Sequence, residues 1–204
     1  MDLKAYFKIL GKNWVLIVVI ILLFVGATIY FTGRQPITYS ASASIDISRS
    51  EQKQSAVSYY QYDNYYSNLS ANSLSDNVVG WVSSPATVAE IYKKANMDLP
   101  KGDLKSLGKI FTAKKKVATA AVIDISYTSE SPDQSSNLVS TATNILKDKV
   151  EKYNNTSDAG IFQVNLSNPV VVENEKPYAI NIFIAAFAGL LISLAVAFGR
   201  ESLK

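Results

Sequence analysis

The chain reads as an α+β (α/β) extracytoplasmic domain, one small sheet with packed helices, flanked by two transmembrane helices. Three observations predict this. Two uncharged apolar stretches stand near the two ends, at residues 14–31 and 179–198. Residues 32–178 between them have the composition of a folded water-soluble domain. Within that segment, patterned runs follow in the order strand, helices, strand, helix, strand, the signature of helices packed on one sheet.

The first apolar stretch holds 18 residues without a charge, and the second holds 20 with Asn181 and Ser193 as its only polar side chains. A helix rises about 1.5 Å per residue and the hydrocarbon slab is about 30 Å thick, so each stretch crosses once. Charge sets the orientation. Lys4, Lys8 and Lys12 precede the first span with one acid, Asp2; Arg200 and Lys204 follow the second with Glu201. The middle segment carries 15 basic and 15 acidic residues, so the formal charge of +3 falls on the two short tails. Short basic flanks stay in the cytoplasm. The expected layout is a cytoplasmic lead (1–13), a span (14–31), an extracytoplasmic domain (32–178), a second span (179–198) and a cytoplasmic tail (199–204), in a cell membrane. The basic surplus sits beside the spans and points to the membrane surface rather than to nucleic acid.

A cleaved signal peptide is the competing reading of the first stretch. The run exceeds the usual h-region of about 7–15 residues, and the small-residue triplet Ala41-Ser42-Ala43 lies well beyond its end. A retained anchor is therefore expected.

Leu3, Tyr6, Phe7, Leu10 and Trp14 follow helical spacing in the lead, with Lys4, Lys8 and Lys12 as a second row. This apolar row fits the headgroup region; a plain helical extension fits equally. The first strand is predicted over residues 38–48, where Ala41, Ala43, Ile45 and Ile47 alternate with Ser42, Ser44, Asp46 and Ser48. Residues 50–58 read as a loop and residues 60–82 as a long helix without proline. Ser84-Pro85 opens the next helix, whose apolar face is Val88, Ile91, Tyr92 and Ala95 and which ends near Met97. A turn at residues 99–103 leads to a short helix over 103–109. An inner strand follows at 120–128, then a helix from Pro132 to about Tyr153 that buries Leu138, Ala142, Ile145 or Leu146, and Val150. A last strand at 161–172 leads through Pro169 and Pro177 into the second span.

The chemistry of catalysis is missing. The chain has no His and no Cys, which excludes a disulfide scaffold and removes the common nucleophile–base pairs and most zinc sites. The nearest approach to a phosphate loop runs from Gly102 to Gly108-Lys109, with the glycines one residue too far apart and Ile110 where Ser or Thr must reach a metal. Asp124 reads as an outward strand residue and Asp133 as a helix first-turn acid, which the dipole favours. No catalytic residue, cofactor or metal is expected, and the chain is not expected to be an enzyme.

Three features are candidates for function. Ala185, Gly189, Ser193 and Ala197 recur at four-residue steps along the second span, a small-residue stripe that lets another helix approach closely. Its partner is the first span, with Gly26, or a neighbouring subunit. Tyr62, Tyr65 and Tyr66 share a helix face with Leu69; core packing is the first reading, a subunit interface the second and glycan contact the third. Lys101, Lys105, Lys109 and Lys114 to Lys116 concentrate positive charge, as a solvated face or as a surface for anionic polymer or headgroups.

The order of these features resembles the Wzz-type chain-length determinant family, the polysaccharide co-polymerases of bacterial cell envelopes. The opening "MDLKAYFKILGKNWVLI" is similar to the family's cytoplasmic lead, and "YSASASIDIS" stands where the family places its first external strand. "SPATVAEIYKKANM" resembles the helix after the Ser-Pro step, and "IDISYTSESPDQSSNLVSTATNILKDKVEKY" the strand–turn–helix unit. "NPVVVENEKPY" occupies the place of the proline-rich segment before the second span, with only two prolines, Pro169 and Pro177. The resemblance implies a homo-oligomer, a ring or open assembly, in the bacterial cytoplasmic membrane with its α/β domains outside, acting beside a polymerase of lipid-linked glycan and setting polymer length without being a glycosyltransferase. Pro169 and Pro177 would shape the approach to the second span. The short external domain resembles the compact capsule and exopolysaccharide branch, which implies a cytoplasmic tyrosine kinase as a further partner, although residues 199–204 offer it little surface. The competing functions are a two-span sensor with an external ligand pocket and an envelope hydrolase with paired carboxylates.

Overall fold

A computed structural model describes residues 9–49, 60–118, 120–156 and 162–202. The elements in chain order are α1 (Trp14–Arg34), β1 (Thr38–Arg49), α2 (Tyr60–Val82), α3 (Pro85–Lys94), α4 (Leu104–Leu107), β2 (Thr112–Lys115), β3 (Val122–Ser129), α5 (Pro132–Thr156), β4 (Phe162–Leu166), β5 (Val170–Asn174) and α6 (Tyr178–Ser202). They form two units. One holds α1 and α6; the other is Thr38–Asn174.

In the Thr38–Asn174 unit all five strands are antiparallel, and β1 is the central strand. Its alternation decides the layering. Ala41, Ala43, Ile45 and Ile47 are buried on one face, and the serines between them point to the other because strand side chains alternate. β3 pairs along β1 from Tyr39↔Ser129 to Asp46↔Val122, and β2 forms the edge beyond β3. On the other side of β1, β5 pairs with Thr38–Ser42 and β4 with Ile45–Arg49.

The helices cover one face only. From α2, Ala71, Leu74, Val78 and Val82 join Val88, Ile91 and Tyr92 of α3 and Leu138, Ala142, Ile145, Leu146 and Val150 of α5 in one core with Ile45, Ile47, Ile123 and Ile125. Pro85 starts α3 at its first turn, where its missing N–H costs nothing. Asn96 closes the turn after α3 with φ 56°, a left-handed conformation that asparagine tolerates. Asp103 caps α4 by accepting from the Ser106 amide at 2.9 Å, and those hydrogen bonds hold its carboxyl below the usual carboxylate range. A Cβ at Gly108 would fall 2.6 Å from the Ser83 carbonyl oxygen, so only glycine lets α4 end against the α2–α3 junction. Within the core, Phe111 lies between Tyr92 and Tyr127, whose hydroxyls are 3.2 Å apart. Burial, then the Tyr127 hydroxyl, pushes the Tyr92 phenol well above its ordinary range. Among the described residues, every buried side-chain nitrogen or oxygen has a hydrogen-bond partner.

Several elements differ from the sequence reading. The last strand is two strands, β4 and β5, broken at residues 167–169. Pro169 has no N–H to give a ladder. Ser167 bridges the gap instead: its amide donates to the Ser44 carbonyl at 3.0 Å, and its Oγ accepts from the Ser44 amide at 2.7 Å. The lysine run at 114–116 begins inside an edge strand, β2, which the sequence reading missed. The inner strand is shifted to Val122–Ser129, α3 ends at Lys94, and both apolar helices run past the uncharged stretches. Most of the lead, residues 1–8, and the loop at 50–58 lie outside the described residues. Residues 9–12 are helical, and Asn13 separates them from α1.

Candidate functional site

α1 and α6 are both long and apolar enough to cross a membrane. Phe183, Phe187, Leu191, Leu22 and Leu23 are exposed on their outer faces, as lipid-facing side chains must be. Where they meet, the side chains are small. Ala185, Ser193 and Ala197 of α6 are buried, Ser193 and Ala197 completely. A Cβ at Gly189 would lie 3.2 Å from the Ile21 Cα and 3.3 Å from the Phe24 Cβ. The α1 backbone thus presses on the one position of the stripe that has no side chain. Gly26 has open space around it, so Ile21 and Phe24, not Gly26, face the stripe. Ser193 turns its Oγ onto the Leu190 carbonyl at 2.8 Å, the satisfaction that an apolar medium demands.

Both ends of this helix pair are tied. At one end the Lys12 ammonium meets Glu201 at 2.9 Å, and buried Asn13 donates from Nδ2 to the Ile9 carbonyl at 3.0 Å. At the other, Asn181 Nδ2 donates to the Thr32 hydroxyl at 3.1 Å and Lys176 Nζ to the Gly33 carbonyl at 2.6 Å. The Arg34 guanidinium stands 4.7 Å over the Tyr30 ring, a cation–π contact. Pro177 stands just before α6, and its carbonyl accepts from the Asn181 amide at 3.1 Å. Pro177 therefore starts α6, whereas Pro169 breaks a strand.

In the Thr38–Asn174 unit two surfaces stand out. The first is the open face of the sheet. It carries Thr38, Ser40, Ser42 and Ser44 of β1, Asp124, Ser126 and Thr128 of β3, and Val170, Val172 and Asn174 of β5, aligned by register. No residue of this set is buried. Ser40 Oγ lies 2.7 Å from Thr128 Oγ1 and within 3.0 Å of the Asn174 amide, which also donates to Thr38. Asp124 accepts from Ser44 at 2.6 Å and points outward, as its strand position predicts. The second surface is the start of α2. Tyr65 and Tyr66 stack edge to face, with ring centres 5.7 Å apart. They are 63% and 56% exposed, and Leu69 is 48% exposed. Core packing, the first reading of this face, is therefore not its role. Tyr62 lies on the same helix, its side chain outside the described residues.

The lysines separate into two groups. Lys115 reaches back to Asn72 and to Asp76 at 2.9 Å on α2. Lys101, Lys105, Lys109, Lys114 and Lys116 are exposed to solvent. Among the described residues, no three carboxylates gather as a metal site.

In chain order an α/β domain lies between two apolar helices. The chain is similar to a solved structure described as a full-length bacterial polysaccharide co-polymerase, with a TM-score of 0.53 at 9% identity over 99% of this chain and 98% of that one. Residues 1–93 match the model of the Wzz family, chain length determinant protein. No curated protein matches the chain. The Wzz match spans the lead, the first span, β1, α2 and most of α3, the segments from which the sequence resemblance was partly read.

Proposed function

We propose that the chain is a non-catalytic scaffold that regulates the chain length or export of a cell-surface polysaccharide, such as lipopolysaccharide, capsule or exopolysaccharide. It sits in the cytoplasmic membrane with both termini inside and the Thr38–Asn174 domain outside. Its partners in this reading are further copies of itself and the polymerase that extends the lipid-linked glycan. One observation carries the proposal: the Wzz match lies on a chain whose fold is similar, along both full lengths, to a polysaccharide co-polymerase. The small-residue stripe then serves as the joint that holds the two spans as a hairpin. A cytoplasmic tyrosine kinase is a further partner of this reading, to be sought by co-purification.

The test is deletion of the gene followed by sizing of the surface polymer on a gel. The expected result is a changed length distribution with polymer still made, restored by the wild-type chain. An unchanged distribution contradicts the proposal.

A further inference from the structure

The segment 99–109 around α4 combines exposed aliphatic groups with a local surplus of positive charge. Among the described residues of the Thr38–Asn174 unit, no large apolar side chain is more exposed than Leu104, at 73%, and Leu99 is 41% exposed. Lys101, Lys105 and Lys109 flank Leu104 and are exposed. Across residues 99–109 these lysines meet one acid, Asp103, whose carboxylate is already engaged with the Ser106 amide. Among the described residues none of the three is in an ion pair. The segment is also held in shape: Leu107 is buried, and Gly108 fits against the Ser83 carbonyl. α4 thus has a fixed inner side at Leu107 and an outer side of Leu104 and lysines. A lone exposed leucine means little. Two leucines and Pro100 framed by lysines have the composition of a segment that lies in a lipid headgroup layer, with apolar groups toward the acyl chains and ammonium groups toward phosphate.

The place of α4 in the fold points the same way. β2 runs from Thr112, opposite Ser126, to Lys115, opposite Ile123, and those rows meet β1 at Ser42 and Ile45. The chain therefore passes from α4 into β2 at the end of the sheet where β1 begins at Thr38 and β5 finishes at Asn174. From that end residues 35–37 lead back to α1, and residues 175–177 lead on to α6. We propose that the α4 segment docks on anionic phospholipid headgroups of the leaflet beside it, with Leu104 at the hydrated headgroup level and Lys101, Lys105 and Lys109 against phosphate. A three-residue connection reaches at most about 14 Å, so the chain itself keeps this end of the domain near the lipid that the two helices cross. An anionic polymer in solution has no such tether and offers nothing for Leu99 and Leu104 to enter. The contact adds a third point of attachment to the two chain connections and limits how far the domain tilts over the bilayer.

The proposal takes from the scaffold reading only its two membrane spans. The chain has no cysteine, so a single thiol is a clean probe. Full-length Leu104→Cys chain carries an environment-sensitive fluorophore and is placed in nanodiscs of phosphatidylcholine, alone or mixed with phosphatidylglycerol, with a spin label on the lipid headgroups. Leu69→Cys, exposed on α2, is the control. Each lysine close to an anionic surface strengthens the attraction about fivefold, so quenching at residue 104 in the anionic discs is expected to exceed that at residue 69 at least fivefold and to fall as salt is raised. Lys101→Glu/Lys105→Glu/Lys109→Glu should abolish the difference between the two kinds of disc while leaving the thermal unfolding of the domain in place; if that variant unfolds, the salt dependence decides. Quenching at residue 104 no greater than at residue 69 overturns the proposal, and so does equal quenching in neutral and anionic discs. Shielding of the residue 104 thiol by a soluble acidic polysaccharide in neutral discs also overturns it, by assigning the segment to a polymer. None of these outcomes touches polymer length, so the scaffold reading stands or falls on its own test.

Discussion

The two units of this chain are held together by opposite means. In the Thr38–Asn174 domain the interior is large and branched: Ile45, Ile91, Ile123, Ile125, Leu138, Ile145 and Leu146 are all fully buried. In the helix pair the large side chains are outside and the interface is Gly189, Ala185, Ser193 and Ala197. The solvent explains the inversion. Water drives apolar bulk inward, at roughly 25 cal/mol per Å² buried. Lipid is as apolar as leucine and gives no such drive, so helices associate through close backbone approach and a few polar ties. Volume is therefore the critical quantity in one unit and its absence in the other.

The largest expected effect comes from deleting volume in the domain. Ile125→Ala, at a fully buried position on β3, should cost about 2–5 kcal/mol, read as a lower urea midpoint for the domain in detergent-solubilised chain. An equal loss from the exposed Leu104→Ala would erase the distinction between core and surface. Adding volume should do the comparable damage in the helix pair. Gly189→Ile places atoms where Ile21 and Phe24 already stand. Disulfide formation between Thr32→Cys and Asn181→Cys, now hydrogen-bonded across the pair, should fall several-fold, with the urea midpoint of the domain unchanged. Gly26→Ile is the matched control: it meets open space and should leave the cross-link yield intact.

A smaller effect concerns the Tyr92 phenol. Its folded pKa lies above the unfolded value of about 10. The associated stability is fully present below that value and is lost as pH rises through the folded pKa. Domain stability should decline above about pH 10, and Tyr92→Phe should flatten that part of the profile. A profile unchanged by the substitution would place the alkaline sensitivity elsewhere. The smallest effect is at Lys12. Its pair with Glu201 is half exposed, and such pairs contribute about 0–1 kcal/mol. Lys12→Ala should alter the cross-link yield at residues 32 and 181 by less than Gly189→Ile does.

The same contrast explains how much could be read from sequence. β1 was legible because its inward Ala and Ile alternate with outward Ser and Asp. α2 was legible as a long stretch without proline, and α5 because one apolar face repeats at helical spacing. β2 was hidden because an edge strand needs no hydrophobic alternation; its lysines read as a charge run, although Lys115 packs against α2. Pro169 was visible, yet the break it causes depends on β1 lying alongside. The Tyr65–Tyr66–Leu69 face was found, but periodicity tells which residues share a side and not what covers it. At the small-residue stripe the spacing was legible and the partner was not. The spans meet across more than 150 residues of chain, and Ile21 and Phe24 look no different in sequence from their lipid-facing neighbours.

The account depends above all on the domain lying outside a cell membrane that both chain ends face from within. A membrane-impermeant maleimide applied to intact spheroplasts tests this directly, because the chain brings no thiol of its own. Leu104→Cys, at a position 73% exposed on α4, should label fully before permeabilisation and Lys12→Cys only after it. Labelling in the reverse order would contradict the account.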